Sequence, residues 1–210
     1  MQSEWMPILE RWRDLTVLVI GDAMLDSYVR GNGNRLCQEA PVPVVDVVSE
    51  TEAAGGAANT AANLAALTAK ATLISAIGPD REGQALLHAL HIAGVGTNHV
   101  IIDSKRQTLS KQRVLAGSQL VTRLDRGSTE PIGSRTEARL MRHLQQLYGQ
   151  SDAVVISDYG YGIMTDGLIE ALTKLQQRQP RVLVVDAKDP VRYQRVGATV
   201  VKPNYTQLRR

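Results

Sequence analysis

Four apolar runs in this 210-residue chain end on a carboxylate, an amide or a lysine. Thr16-Val17-Leu18-Val19-Ile20 runs into Gly21-Asp22-Ala23-Met24-Leu25-Asp26, and Ala153-Val154-Val155-Ile156 into Ser157-Asp158-Tyr159-Gly160. Val182-Leu183-Val184-Val185 runs into Asp186-Ala187-Lys188, and the run at 198–201 into Lys202-Pro203-Asn204. In open α/β sheets, ligands sit beyond the carboxyl ends of the strands. Carboxylates and amides placed there can grip sugar hydroxyls, and Lys and Asn can approach phosphates. An acid after a strand can equally cap the next helix or turn. That reading suits any one of these positions and fits four in succession less well.

Two further groupings carry chemistry. Gly55-Gly56-Ala57-Ala58-Asn59 joins two residues that permit close backbone approach to the free amides and positive dipole of a helix start. A tight helix start with no ligand fits the same residues. Lys111, Arg113, Arg123 and Asp125 flank Gly117-Ser118, a hairpin signal. Period-two alternation puts Lys111 and Arg113 on one strand face, with Arg123 and Asp125 on the partner strand. Three cations gathered this way suit a phosphate; an exposed hairpin with solvated charges is the alternative. The common nucleotide loops are absent. No Gly-x-x-x-x-Gly-Lys-Ser/Thr occurs, and the runs at 31–36 and 160–165 each lack the third glycine of a dinucleotide loop.

The elements that must position these residues read as strands alternating with helices. Strands are expected at 16–20, 71–77, 153–156, 181–186 and 198–201, with helices at 55–68, 81–93, 134–148 and 165–177. Ser134 and Glu137 have the spacing of a capping box. The pattern predicts an α/β fold with a doubly wound, mostly parallel sheet. β-rich segments near 26–49 and 108–124 break the alternation and are expected to form a small β lid. Residues 1–14 read as an extension, and 15–210 as one incomplete domain.

Composition narrows the function. Net charge is +3 with the bases scattered, which offers no surface for nucleic acid. The lone Cys37 cannot pair within the chain, so a reducing, cytoplasmic setting is expected. No run approaches the 18 or so apolar residues of a membrane-spanning helix. His88 and His91 stand three apart without a third metal ligand and read as a solvated helix face; no metal site is expected.

Taken in order, Gly21-Asp22-Ala23-Met24-Leu25-Asp26, Glu39-Ala40-Pro41-Val42-Pro43-Val44-Val45 and Gly55-Gly56-Ala57-Ala58-Asn59 with Asn63 resemble the ribokinase-like (PfkB) carbohydrate kinases. Lys111-Gln112-Arg113-Val114, Arg123-Leu124-Asp125 and Ser157-Asp158-Tyr159 are similar to the D-glycero-β-D-manno-heptose 7-phosphate kinases of that family. The resemblance runs from about residue 15 to the last residue. It implies an ATP- and Mg²⁺-dependent kinase for the anomeric hydroxyl of a heptose 7-phosphate in lipopolysaccharide precursor synthesis. It also implies a homodimer clasped through the lid. Asp26 would bind sugar hydroxyls, and Gly55, Gly56, Asn59 and Asp158 would line the sugar site. Lys111, Arg113, Arg123 and Asp125 would surround the sugar and its phosphate. Lys188, Asn204 and Gln207 would lie toward ATP. The family has Lys where Tyr161 stands, Asp-Pro-Lys where Asp186-Ala187-Lys188 stands, and Glu where Gln207 stands. Its catalytic base is an Asp in a Gly-x-Gly-Asp loop that opens a later helix. The one Gly-Asp here is Gly21-Asp22, near the other end, so the resemblance implies that this Asp would lie beyond Arg210. No catalytic residue is therefore assigned within the chain, and these 210 residues alone are expected to be inactive. A sugar-binding or dimerising protein without chemistry, and a kinase for another sugar, remain open.

Overall fold

Each apolar run becomes a strand of one parallel sheet. The computed structural model describes residues 6–205, so Gln207 and Arg210 lie outside the described residues, as does any expectation placed on them. A short helix, α1 (Met6–Arg11), and a 3₁₀ turn lead into β1 (Thr16–Gly21). β1 sits between β4 (Lys70–Ile77) and β8 (Ala153–Asp158). β5 (Val100–Ile102) flanks β4, while β9 (Val182–Ala187) and β10 (Val200–Val201) follow β8. Chain order therefore reverses direction across the sheet at β1, and the carboxyl end of β1 lies at the switch point where such sheets bind ligands.

Helices cover both faces, which is why the strands read as continuous apolar runs. Side chains alternate across the sheet. Leu18 and Ile20 join a core with α4 (Ser134–Tyr148) and α5 (Asp166–Arg178). Val19 joins a second core with α2 (Ala57–Ala66) and α3 (Arg81–Ile92). Leu18, Val19 and Ile20 are all fully buried, each contributing roughly 1.5–3 kcal/mol of transfer free energy. Asp80 caps α3 by accepting from the Gly83 amide at 2.8 Å, and Thr165 caps α5 by accepting from Leu168 at 3.2 Å. The expected capping box on α4 is not formed. Gly133 is the cap residue and no side chain caps it. Glu137 instead accepts from the Thr165 hydroxyl, so this acid ties α4 to the start of α5.

The two β-rich stretches outside the alternation form a second, four-stranded sheet. β2 (Ala23–Leu36) pairs antiparallel with β3 (Pro43–Gly56) and parallel with β6 (Leu109–Ala116). β6 pairs antiparallel with β7 (Gln119–Arg126). Pro43 begins an edge strand, where a missing N–H is tolerated. Asp22 alone separates β1 from β2, so the second sheet grows directly from the switch point.

Candidate functional site

Strand register brings the predicted charges together. Asp26 on β2 is opposite Lys111 on β6, and Lys111 is opposite Asp125 on β7. Two residues along, Tyr28, Arg113 and Arg123 form the neighbouring row on the same face. The rows are neutralised unevenly. Arg113 donates to Asp26 at 2.6 Å, and this hydrogen bond raises the already high pKa of the guanidinium further. Arg123 donates to both oxygens of Asp125, at 2.8 and 2.9 Å. Lys111 makes no ion pair among the described residues. Its Nζ lies 5.4 Å from the Tyr159 ring centroid and 5.3 Å from that of Tyr161. These rings are parallel to within 6°, with centroids 6.5 Å apart. Beside them is a cavity of about 170 Å³ lined by Lys111, Asp125, Arg126, Thr129 and Tyr161.

The loop carrying both tyrosines is held by its backbone. Asp22 is fully buried and its carboxylate accepts from the amides of Tyr159, Tyr161 and Ile163 at 2.7, 3.1 and 3.2 Å. Burial pushes the Asp22 pKa up to about 6; the three amides oppose that rise and the nearby Asp158 charge adds to it. Arg106, also buried, donates to the carbonyls of Tyr161, Ser128 and Glu130 at 3.0, 2.9 and 2.8 Å. Desolvation lowers the Arg106 pKa, offset in part by the charges of Asp22 and Asp103. Burial raises the Tyr159 pKa, with Asp186 next in effect.

Gly55 and Gly56 close the other side. A Cβ on Gly55 would stand 2.6 Å from Asp26 Oδ2, so the missing side chain makes room for that carboxylate. Gly56 has φ of 58°, and a Cβ there would strike the Asp22 carbonyl. Asn59 is exposed in the first turn of α2.

Asp158 is not brought into this group. It is buried and accepts from Tyr193 Oη at 2.6 Å, Arg192 at 3.3 Å and the Gly160 amide at 2.8 Å. Its carboxylate anchors the turn after β8, the capping role open to any acid at a strand end. Lys188 is exposed, and its side chain passes over Gly160, 3.5 Å from where a Cβ would stand. Lys202 pairs with Asp186 at 3.1 Å. Asn204 is exposed at the end of the described chain. Among the described residues no group of three or more His, Cys, Asp or Glu side chains could hold a metal ion.

Sequence reasoning missed Asp22, Arg106 and Tyr161 as builders of the site. Asp22 had a visible signal, an acid directly after a fully apolar strand. Arg106 had none, because its three acceptors are backbone carbonyls 22 to 55 residues away. The histidine pair that meets is His99 with His143, Nδ1 to Nδ1 at 3.0 Å, while His88 and His91 are exposed.

Comparison with known proteins places this geometry. The bifunctional protein HldE of Geobacter metallireducens is 40% identical over 194 residues, which is 91% of this chain and 39% of that protein. HldE of Pelobacter propionicus is 41% identical over 199 residues, 94% of this chain and 40% of that protein. The chain thus spans about two-fifths of the length of the curated relatives it matches. Among solved structures, a possible 1-phosphofructokinase from Thermotoga maritima matches with a TM-score of 0.69 at 17% identity, covering 91% of this chain and 61% of that one. The Arabidopsis thaliana ribokinase complexed with ribose and ATP matches with a TM-score of 0.65 at 18% identity, covering 92% and 61%. These two likenesses establish the fold as ribokinase-like. The model of the pfkB family carbohydrate kinases matches residues 14–210, nearly the whole chain, and the chain belongs to that family.

Proposed function

We propose that this chain carries the sugar side of an ATP-dependent carbohydrate kinase whose substrate is a phosphorylated sugar of the heptose 7-phosphate class, used in lipopolysaccharide precursor synthesis. The observation that carries this reading is the row Asp26, Lys111, Asp125 at the switch point, with Lys111 left without a carboxylate partner. Carboxylates in such a row accept from sugar hydroxyls, and a cation without a counter-ion attracts a phosphate. Similarity to HldE proteins supports the substrate class. Gly55, Gly56 and Asn59 line the sugar side opposite Lys111, and residues 23–56 and 109–126 serve as its lid. Lys188 and Asn204, with Gln207 by resemblance to the family, are assigned to the ATP side, and the ATP triphosphate would supply the transferred group. Asp158 acts on the site only through the turn it anchors.

The 210 residues by themselves, Met1 to Arg210, are proposed to bind sugar phosphate without transferring phosphoryl. Asp22 and Asp158 are buried and their carboxylates already accept from backbone amides and, for Asp158, from Tyr193 and Arg192, so neither is proposed as the base for a sugar hydroxyl. The second sheet exposes Val47, Val48, Leu120 and Leu124, an apolar surface suited to a homodimer clasped sheet to sheet. The reading places the protein in the cytoplasm, where its phosphorylated substrate and ATP are made; no helix among the described residues is long and apolar enough to cross a membrane. Calorimetric titration with heptose 7-phosphate and with the unphosphorylated heptose tests the proposal. Tighter binding of the phosphorylated sugar is expected, and equal binding would refute it. ATP turnover by this chain would refute the second part.

A further inference from the structure

Four cations, Arg30, Lys111, Arg113 and Arg123, lie on one face of the second sheet; carboxylates cancel Arg113 and Arg123, and Arg30 lies over the Tyr28 ring and donates to the Thr51 hydroxyl at 3.0 Å. Lys111 is held differently. Its ammonium lies near 5.3–5.4 Å from two parallel tyrosine rings. Ring faces attract a cation through their quadrupole while carrying no net charge. They can fix the ammonium in space and leave its full charge available to a ligand. A carboxylate would fix it equally well and cancel it.

We propose that Tyr159 and Tyr161 form an aromatic bracket that presents Lys111 to the 170 Å³ cavity as the receptor for the substrate's phosphate group, with Tyr161 as a specificity-determining residue. Asp22 and Arg106 are positioning residues for that bracket. Asp22 holds the amides of both tyrosines, and Arg106 holds the carbonyl of Tyr161. Backbone anchoring from both sides fixes where the rings stand, and the rings fix the ammonium. The bracket's geometry stands without any assumption about substrate; its receptor role rests on the sugar-phosphate reading above.

Two readouts on the full 210-residue chain separate these parts. The first is the ring-current shift of the Lys111 side-chain methylene protons in the free protein. An upfield shift kept in Tyr161→Phe and lost in Tyr161→Leu is expected. No upfield shift in the wild-type protein would overturn the bracket itself. The second is titration with heptose 7-phosphate and with the unphosphorylated heptose. Tyr161→Phe should bind both within about twofold of wild type. Tyr161→Leu should bind the phosphorylated sugar about tenfold more weakly and leave the neutral sugar within about twofold. In a Lys111→Met background, Tyr161→Leu should have no further effect on the phosphorylated sugar. Equal weakening for both sugars, or a Phe variant as impaired as Leu, would overturn the specificity role. A wild-type protein that shows the ring-current shift but binds neither sugar would sink the substrate reading, and the receptor role with it, while the bracket stands. Thermal unfolding of each variant identifies those that bind poorly because they are unfolded.

Discussion

β1 and β2 are separated by a single residue, yet they live in different environments. β1 is buried at every position but its first, whereas β2 is buried at its start and open to solvent at its far end. The first sheet is covered on both faces and its central strands carry no charged side chain at their middles. The second presents charged side chains on one face and apolar ones to solvent elsewhere. The difference separates two duties. The first sheet supplies stability and a fixed edge, and the second supplies the groups that meet a ligand. Substitutions in the first should move unfolding, and substitutions in the second should move binding.

The strongest challenge to that division is Asp22, which stands between the sheets. Asp22→Ala would strip the acceptor from three backbone amides, each costing about 1–3 kcal/mol when buried unpaired. Loss of cooperative unfolding, or a fall of several kcal/mol in urea denaturation, is expected. A variant with near wild-type stability would show that the clasp on the 159–163 loop is dispensable. Next in size is Leu172→Ala, in the fully buried core beneath α5. It should lower stability by about 2–5 kcal/mol and leave sugar-phosphate affinity of the folded fraction unchanged; altered affinity would break the division.

Arg113→Ala tests the second sheet. Its ion pair with Asp26 is only partly exposed, with side chains 25% and 21% accessible, and its removal should cost about 1 kcal/mol or less. Binding of the phosphorylated sugar should change by more than stability does, since Asp26 loses its fixed orientation. The smallest effect concerns His143, whose pKa is lowered by burial and then by the charges of His99, Arg139 and Arg142. A histidine that resists protonation when folded takes up its proton more readily when unfolded. Its contribution is therefore complete above the ordinary histidine pKa of about 6.5 and declines as pH falls below it. Urea midpoints between pH 5 and pH 7 should show a shallower decline in His143→Gln than in wild type.

The sequence made the first sheet legible because burial on both faces writes itself as unbroken apolar runs. Ser134–Tyr148 was read at its full extent, and Thr165 could be placed at the start of α5. β5 escaped because three residues are too few to show a period. A separate second sheet could be read from β-rich segments out of place, but its register could not. Asp26 and Lys111 are neighbours only because β2 and β6 run parallel across 85 residues, and no local pattern encodes that. The charge balance of the site was hidden for the same reason. Lys111, Arg113 and Arg123 look alike in the sequence, and only the ion pairs distinguish them. Asp158 reads in the sequence like any acid at a strand end, and its buried partners Tyr193 and Arg192, 35 and 34 residues away, have no local signal.

Asp22 also sets an order on how the molecule is made. Its amide donates to the Ser157 carbonyl, its carbonyl accepts from Ala57, and its carboxylate waits for the amides of residues 159–163. During synthesis the chain from residue 16 to 102 can assemble β1, β4 and β5 with their helices, yet one side of β1 stays bare until β8 emerges. Until residues 153–163 have been made, the nascent protein therefore carries an open strand edge and a carboxylate without its donors. The groups that meet at Asp22 are as much as 141 residues apart in the chain.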